Sequence, residues 1–105
     1  YSQEKILKEL LPIIDSLEKS LEIEVDEKLI EGVKLTLELF YRILNKFNVE
    51  TIDPKGKNFN PSHHEAMSTA PANDEFQANV VVQVLQKGYL LHDRLLRPAL
   101  VIVAK

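Results

Sequence analysis

Residues 27–47 are apolar around most of a helical circumference, and this pattern constrains the fold more than any other feature of the chain. Ile30, Val33, Leu37, Phe40, Leu44 and Phe47 recur at alternating steps of three and four, which is a helical seam. Leu29, Leu35, Leu39, Tyr41 and Ile43 add apolar surface outside it, and the polar face that remains is a narrow stripe of Glu31, Lys34, Glu38, Arg42 and Asn45. A helix packed on one neighbour covers a stripe of about 100°. This helix therefore needs more neighbours than one chain supplies. Two helices per chain, joined with those of a second copy into a four-helix bundle, meet the need most simply. The alternative, in which the C-terminal half covers the surplus, leaves that half short of its own core.

The second bundle helix comes earlier in the chain. Leu7, Leu10, Ile14, Leu17 and Leu21 form a heptad seam that Ile6, Leu11 and Ile13 widen. The bundle contacts are expected from Leu10, Ile14, Leu17 and Leu21 on this helix and from Ile30, Val33, Leu37, Phe40 and Leu44 on the next. Pro12 lacks an N–H and crowds the preceding turn, which predicts a kink or a restart near Leu11. EIEVDEK (22–28) reads as a connection, with Asp26 as N-cap and Glu27 well placed in the first turn that follows. Gly32 marks either a close helix crossing or a direct partner contact. Asn48 suits a helix end in the left-handed conformation.

Beyond Asn48 the period changes. VETI (49–52) is a short strand, and DPKG (53–56) a turn with Pro in its favoured second place. Residues 57–79 read as loops with one brief strand near Ala66 to Ser68. NVVVQVLQK (79–87) reads as a strand with Val80, Val82 and Val84 on one face. Tyr89 to Leu91 and Leu95 to Arg97 pair across His92-Asp93, and Pro98 interrupts before ALVIVA (99–104). That unbroken apolar run departs from the alternation of a half-wet strand, so either both its faces are covered or one is kept for a partner. The fold class is thus α+β: a helical hairpin forming a dimeric four-helix bundle, followed by a small all-β domain, with residues 1–48 and 49–105 as the two parts.

Composition narrows the function. With no cysteine there is no disulfide, thiolate metal site or cysteine nucleophile, which favours an intracellular setting. No apolar run approaches the roughly 18 residues of a membrane span. Tyr1 opens in mid-pattern with neither Met nor a leader, so a fragment of a longer chain is expected. The net charge of −3 hides an asymmetry. Residues 1–48 hold seven Lys/Arg against ten Asp/Glu, whereas residues 77–105 hold Lys87, Arg94, Arg97 and Lys105 against Asp93 alone. Four scattered cations are too few for a nucleic-acid groove but enough to steer toward an acidic protein surface.

Candidate chemistry is sparse. His63, His64, Glu65 and His92 invite a metal reading, yet neighbours on an extended segment point to opposite faces, and a closed zinc site wants four ligands. Surface or structural histidines are the better reading. Asp74-Glu75 lies in a loop with no sign of burial, and the three glycines are too far apart to cradle a phosphate.

Longer stretches carry more information: LLPIIDSLEKSL (10–21), EGVKLTLELF (31–40), NKFNVETIDPKGKNFNPSHHEAM (45–67) and VLQKGYLLHDRLLRPALVIVAK (84–105). In order and spacing, above all FNPSHHEA followed by GYLLHDRLLRPALVIV, the chain resembles the GrpE family of nucleotide exchange factors for DnaK-type chaperones. It differs at Asn48, where Gly is frequent in the family, and at Ala78-Asn79, where a Pro-Gly-type turn is frequent. Residues 1–11 are similar to the last turns of the family's long helical stalk.

The resemblance implies a two-fold dimer with a four-helix bundle and a β wing on each side. The wing would bind the chaperone's ATPase domain and open its cleft so that ADP leaves. No cofactor, catalysis or direct nucleotide binding is implied, and no nucleic-acid or membrane partner. Lys19 and Glu22 on the helices, and Pro61, Leu85, Arg94 and Val103 on the wing, match positions that face the chaperone. Val103 is equally readable as wing core; Tyr89 and Arg97 are open between the two roles. Phe59, His64, Glu65 and Ala66 are expected to hold the wing together. Lys87, Arg94 and Arg97 would rim the apolar contact. Bacterial cytoplasm is the expected location, with the mitochondrial matrix or a plastid as alternatives. The rival readings are a dimerisation module without exchange activity and a metal-dependent hydrolase.

Overall fold

A computed structural model describes residues 2–105; Tyr1, where the expected stalk end and helical region begin, lies outside them. Two helices, α1 (Ser2–Ile23) and α2 (Glu27–Lys46), precede six strands. These are β1 (Val49–Ile52), β2 (His64–Ala70), β3 (Val81–Gln86), β4 (Gly88–Leu91), β5 (Arg94–Arg97) and β6 (Ala99–Ala104). The chain is α+β, and it divides after Val49 into a helical unit and a β unit, Glu50–Lys105.

In the helical unit Leu7, Leu11, Ile14, Leu37 and Leu44 are buried. The seam with the strictest three-four spacing is thus used within the hairpin itself. Asp26 caps α2, its carboxylate accepting from the N–H groups of Lys28 and Leu29. Phe47 closes the helix and Asn48 follows at φ 64°, the left-handed conformation that Asn tolerates. The Tyr41 hydroxyl of α2 donates to the Glu18 carboxylate of α1, tying the hairpin together. The expected restart near Leu11 does not occur. α1 is continuous through Pro12, which is exposed.

The β unit holds two three-stranded sheets, ordered β1-β4-β5 and β2-β6-β3. β4 and β5 form the antiparallel hairpin expected across His92-Asp93, with His92 at φ 55° in the turn. In the other sheet β6 is central, parallel to β2 and antiparallel to β3. The ALVIVA run therefore has a ladder on both flanks. One face, Ala99, Val101 and Val103, joins Val81 in a core against which Ile52, Phe59 and Val84 pack. Its other face, Leu100 and Ile102, is half-buried.

Two expectations change. The brief strand near Ala66 is instead a seven-residue β2, whose residues Glu65 to Thr69 are exposed because it is a sheet edge. In β3 the core-facing residues are Val81 and Val84, so of the expected face Val80, Val82 and Val84 only Val84 packs on the core. The register shifts between Val81 and Gln83, and the extra residue reverses which side chains point inward.

Candidate functional site

The segment FNPSHHEA folds into a tight turn leading into β2. Asn60 organises it: its carbonyl accepts from the N–H groups of His63 and His64 at 3.0 and 2.8 Å. Its side-chain oxygen accepts from Ser62 N–H at 2.9 Å. Its own N–H donates to Nδ1 of His64 at 2.9 Å. Pro61 is exposed within this turn. His64 is 8% exposed, with the Phe59 ring 5.8 Å away. Burial, and secondarily the neighbouring His63, hold the His64 imidazole below its ordinary pKa, so it is neutral near pH 7. Because Nδ1 accepts, the proton of that neutral ring is on Nε2.

Leu85 is 44% exposed at a second register shift in β3. Val84 and Gln86 oppose Val101 and Leu100, and the leucine between them has no position opposite it on β6. The bulge turns an apolar side chain outward. Arg94 opens β5 and is exposed. Val103, in contrast, is 6% exposed and part of the core, so as a surface contact it is corrected: its side chain is spent on packing.

The expected basic rim also separates into different roles. Nε of Arg97 donates to the Lys87 carbonyl at 2.9 Å, and the guanidinium carbon stands 5.1 Å from the centre of the Tyr89 ring. Tyr89 is fully buried and Arg97 half-buried, so this pair braces the β4–β5 hairpin from within. Among Lys87, Arg94 and Arg97 it is Arg94 that is exposed. Sequence reasoning left Arg97 open because the register that sets it opposite Tyr89 is invisible in composition.

On the helical unit, Lys19 and Glu22 are exposed near the end of α1 and three residues apart, which makes them surface neighbours. Ile14, Leu37 and Leu44 are buried in the hairpin, while Leu10, Leu17, Leu21, Ile30, Val33 and Phe40 are half-buried. The strongly exposed apolar residues are others: Ile6, Ile13 and the terminal Ile23 on α1, and Leu29, Leu35, Leu39 and Ile43 on α2. At 100° per residue the four on α2 share one side of the helix with Gly32. A Cβ on Gly32 would meet nothing within 4 Å, so no close crossing within the hairpin explains this glycine.

Among the described residues no three His, Asp or Glu side chains gather as a metal site requires, and no helix is long and apolar enough to cross a membrane. What the surface offers is apolar strips and single charges on short, well-braced turns. The chain belongs to the GrpE family, whose family model matches residues 1–105. Protein GrpE of Methylococcus capsulatus is 50% identical over 110 residues, covering 100% of this chain and 59% of the relative. Protein GrpE of Alkalilimnicola ehrlichii is 47% identical over 110 residues, covering 100% and 50%. Protein GrpE of Shewanella woodyi is 46% identical over 110 residues, covering 100% and 52%. The chain spans between half and three-fifths of the length of these relatives.

Proposed function

We propose that this chain is the chaperone-binding part of a nucleotide exchange factor, a non-catalytic co-chaperone that docks on the ATPase domain of a DnaK-type chaperone and accelerates ADP release. The observation that carries the proposal is the surface of the β unit: Pro61, Leu85 and Arg94, which the resemblance implies face the chaperone, are exposed, with Pro61 in a turn closed by backbone hydrogen bonds and Leu85 on a bulge. Apolar Leu85 and Pro61 give desolvated contact, and the Arg94 guanidinium matches a carboxylate bidentately. Lys19 and Glu22 add charged contacts from the helical unit. The factor works by binding the open ATPase cleft more tightly than the closed, nucleotide-filled one. Linkage then requires it to lower ADP affinity by the same factor by which ADP lowers its own. No bond is made or broken.

A homodimer belongs to the proposal. Burying the exposed leucines and isoleucines of α1 and α2 against a second copy would complete the bundle that the hairpin leaves half built. The bacterial sources of the relatives favour a bacterial cytoplasmic setting. A dimerisation module without exchange activity uses the same helical face, and titration against the isolated ATPase domain separates the two. Exchange requires tighter binding to the nucleotide-free domain than to the ADP-bound one, weakened by Arg94→Glu. Equal affinity for both forms, or none, refutes it.

A further inference from the structure

We propose that His64 is a positioning residue for the partner-binding turn, and that its protonation releases the turn and weakens docking. This rests on the proposed binding role of Pro61. The geometry is specific. The turn is closed on one side by Asn60 carbonyl bonds to the amides of His63 and His64, and on the other by the Asn60 N–H donating to His64 Nδ1. The first set is backbone and indifferent to pH. The second is a bond that exists only while Nδ1 holds a lone pair. A proton there places two donors face to face, and Asn60, which directly precedes Pro61, loses its anchor.

Little else near His64 titrates. From the turn, His63 faces it and opposes a second positive charge. Glu65 follows in β2 and alternates to the opposite side of the sheet. β3 and β6, which complete that sheet, carry no titratable side chain. The other ring beside it, Phe59, is apolar. Among the described residues burial and His63 set the shift and no carboxylate contributes, so the surroundings favour the neutral, accepting form.

His64→Asn tests the mechanism, because its Oδ1 replaces Nδ1 as acceptor without titrating in this range, and His64→Ala removes the acceptor. Two readouts are taken between pH 8 and 5.5. The first is by nuclear magnetic resonance on the chain alone: the Asn60 amide signal should move with the same midpoint as the His64 ring nitrogens, and stay fixed in His64→Asn. The second is affinity for the nucleotide-free ATPase domain. Relative to His64→Asn, which cancels titration of the partner, the wild type should weaken by about three- to tenfold for each pH unit below the His64 midpoint, the slope of a single proton. His64→Ala should bind weakly at every pH. An Asn60 signal that ignores His64 titration, or wild type and His64→Asn with parallel pH profiles, overturns the inference. Absence of binding at any pH, with the amide coupling present, instead overturns the chaperone reading on which the docking half rests.

Discussion

Gly88 carries a sharp energetic consequence. An added Cβ there would lie 2.5 Å from the Ala99 nitrogen, 2.9 Å from the Pro98 carbonyl carbon and 3.0 Å from the Arg97 oxygen. All three are backbone atoms, so no side chain can swing aside. Optimal carbon contacts lie at about 3.5–4.0 Å, so Gly88→Ala must part the start of β4 from the β5–β6 connection by about 1 Å. That movement disturbs both the Tyr89–Arg97 register and the Arg97–Lys87 hydrogen bond. Overpacking of this kind costs about 1–3 kcal/mol, and the lower chain entropy of alanine in the unfolded state returns about 0.4–1 kcal/mol. The net loss is about 1–2 kcal/mol, which for a small domain lowers the melting temperature by roughly 5–15 °C. Thermal melts followed by circular dichroism, with amide exchange at Tyr89 as the local probe, measure it. An unchanged or raised melting point would refute the close-approach argument, because alanine would then be showing only its entropic advantage.

Other perturbations have equally definite outcomes. Leu39→Asp should turn the proposed dimer into a monomer by light scattering at micromolar concentration with helicity largely kept, since each lost leucine burial is worth about 1.5–3 kcal/mol and the dimer loses two; a retained dimer mass would contradict the assignment of this face. Leu37→Asp, by contrast, places a charge inside the hairpin, where Leu37 is 5% exposed, and should unfold it. Asn79 has φ 69°, so Asn79→Gly should be nearly neutral, whereas Asn79→Val should cost about 1–2 kcal/mol in urea unfolding. Because the fold holds the His64 pKa below its unfolded value, the unfolded chain binds more protons in that window. Stability is then fully present above the ordinary histidine range and is lost as pH falls through it to the folded pKa, an acid sensitivity that His64→Asn should reduce in melts from pH 7.5 to 5.5.

The helices were legible because their information is local: a three-four spacing, an Asp at the N-cap and an Asn able to adopt positive φ all lie within a few residues of what they determine. The β4–β5 hairpin was legible for the same reason, with His92-Asp93 marking its turn. Of β2 only the middle, near Ala66 to Ser68, was legible, because HEAMSTA has little alternation and few strong strand formers, and its full length depends on a parallel ladder with β6 some 35 residues away in register, His64 opposite Ala99. The phase of β3 was hidden by its two register shifts, which a strict period of two cannot anticipate.

The same distinction divides the candidate site. Arg94 lies beside the hairpin turn that His92-Asp93 marks, whereas Pro61 was suggested by the resemblance alone; a hydrophobic sequence does not say which of its valines face inward, so Val103 was open until the β6 core face was set by both its neighbours. The dimer seam shows the same ambiguity. The most regular apolar spacing is the one the hairpin consumes, and the surface it leaves exposed, which the proposed dimer would bury, is the less regular set of Leu29, Leu35, Leu39 and Ile43. Asn48 and Asn79 both have positive φ, a conformation that Asn tolerates better than most residues.

The central claim is tested most directly by the rate of ADP release. A DnaK-type chaperone preloaded with a fluorescent ADP analogue is mixed, in a stopped-flow instrument, with excess unlabelled nucleotide and increasing amounts of the chain. The account predicts a release rate that rises with chain concentration to a plateau, and little or no rise with Arg94→Glu at equal dimer content. A release rate that the wild-type chain leaves unchanged at every concentration would contradict it.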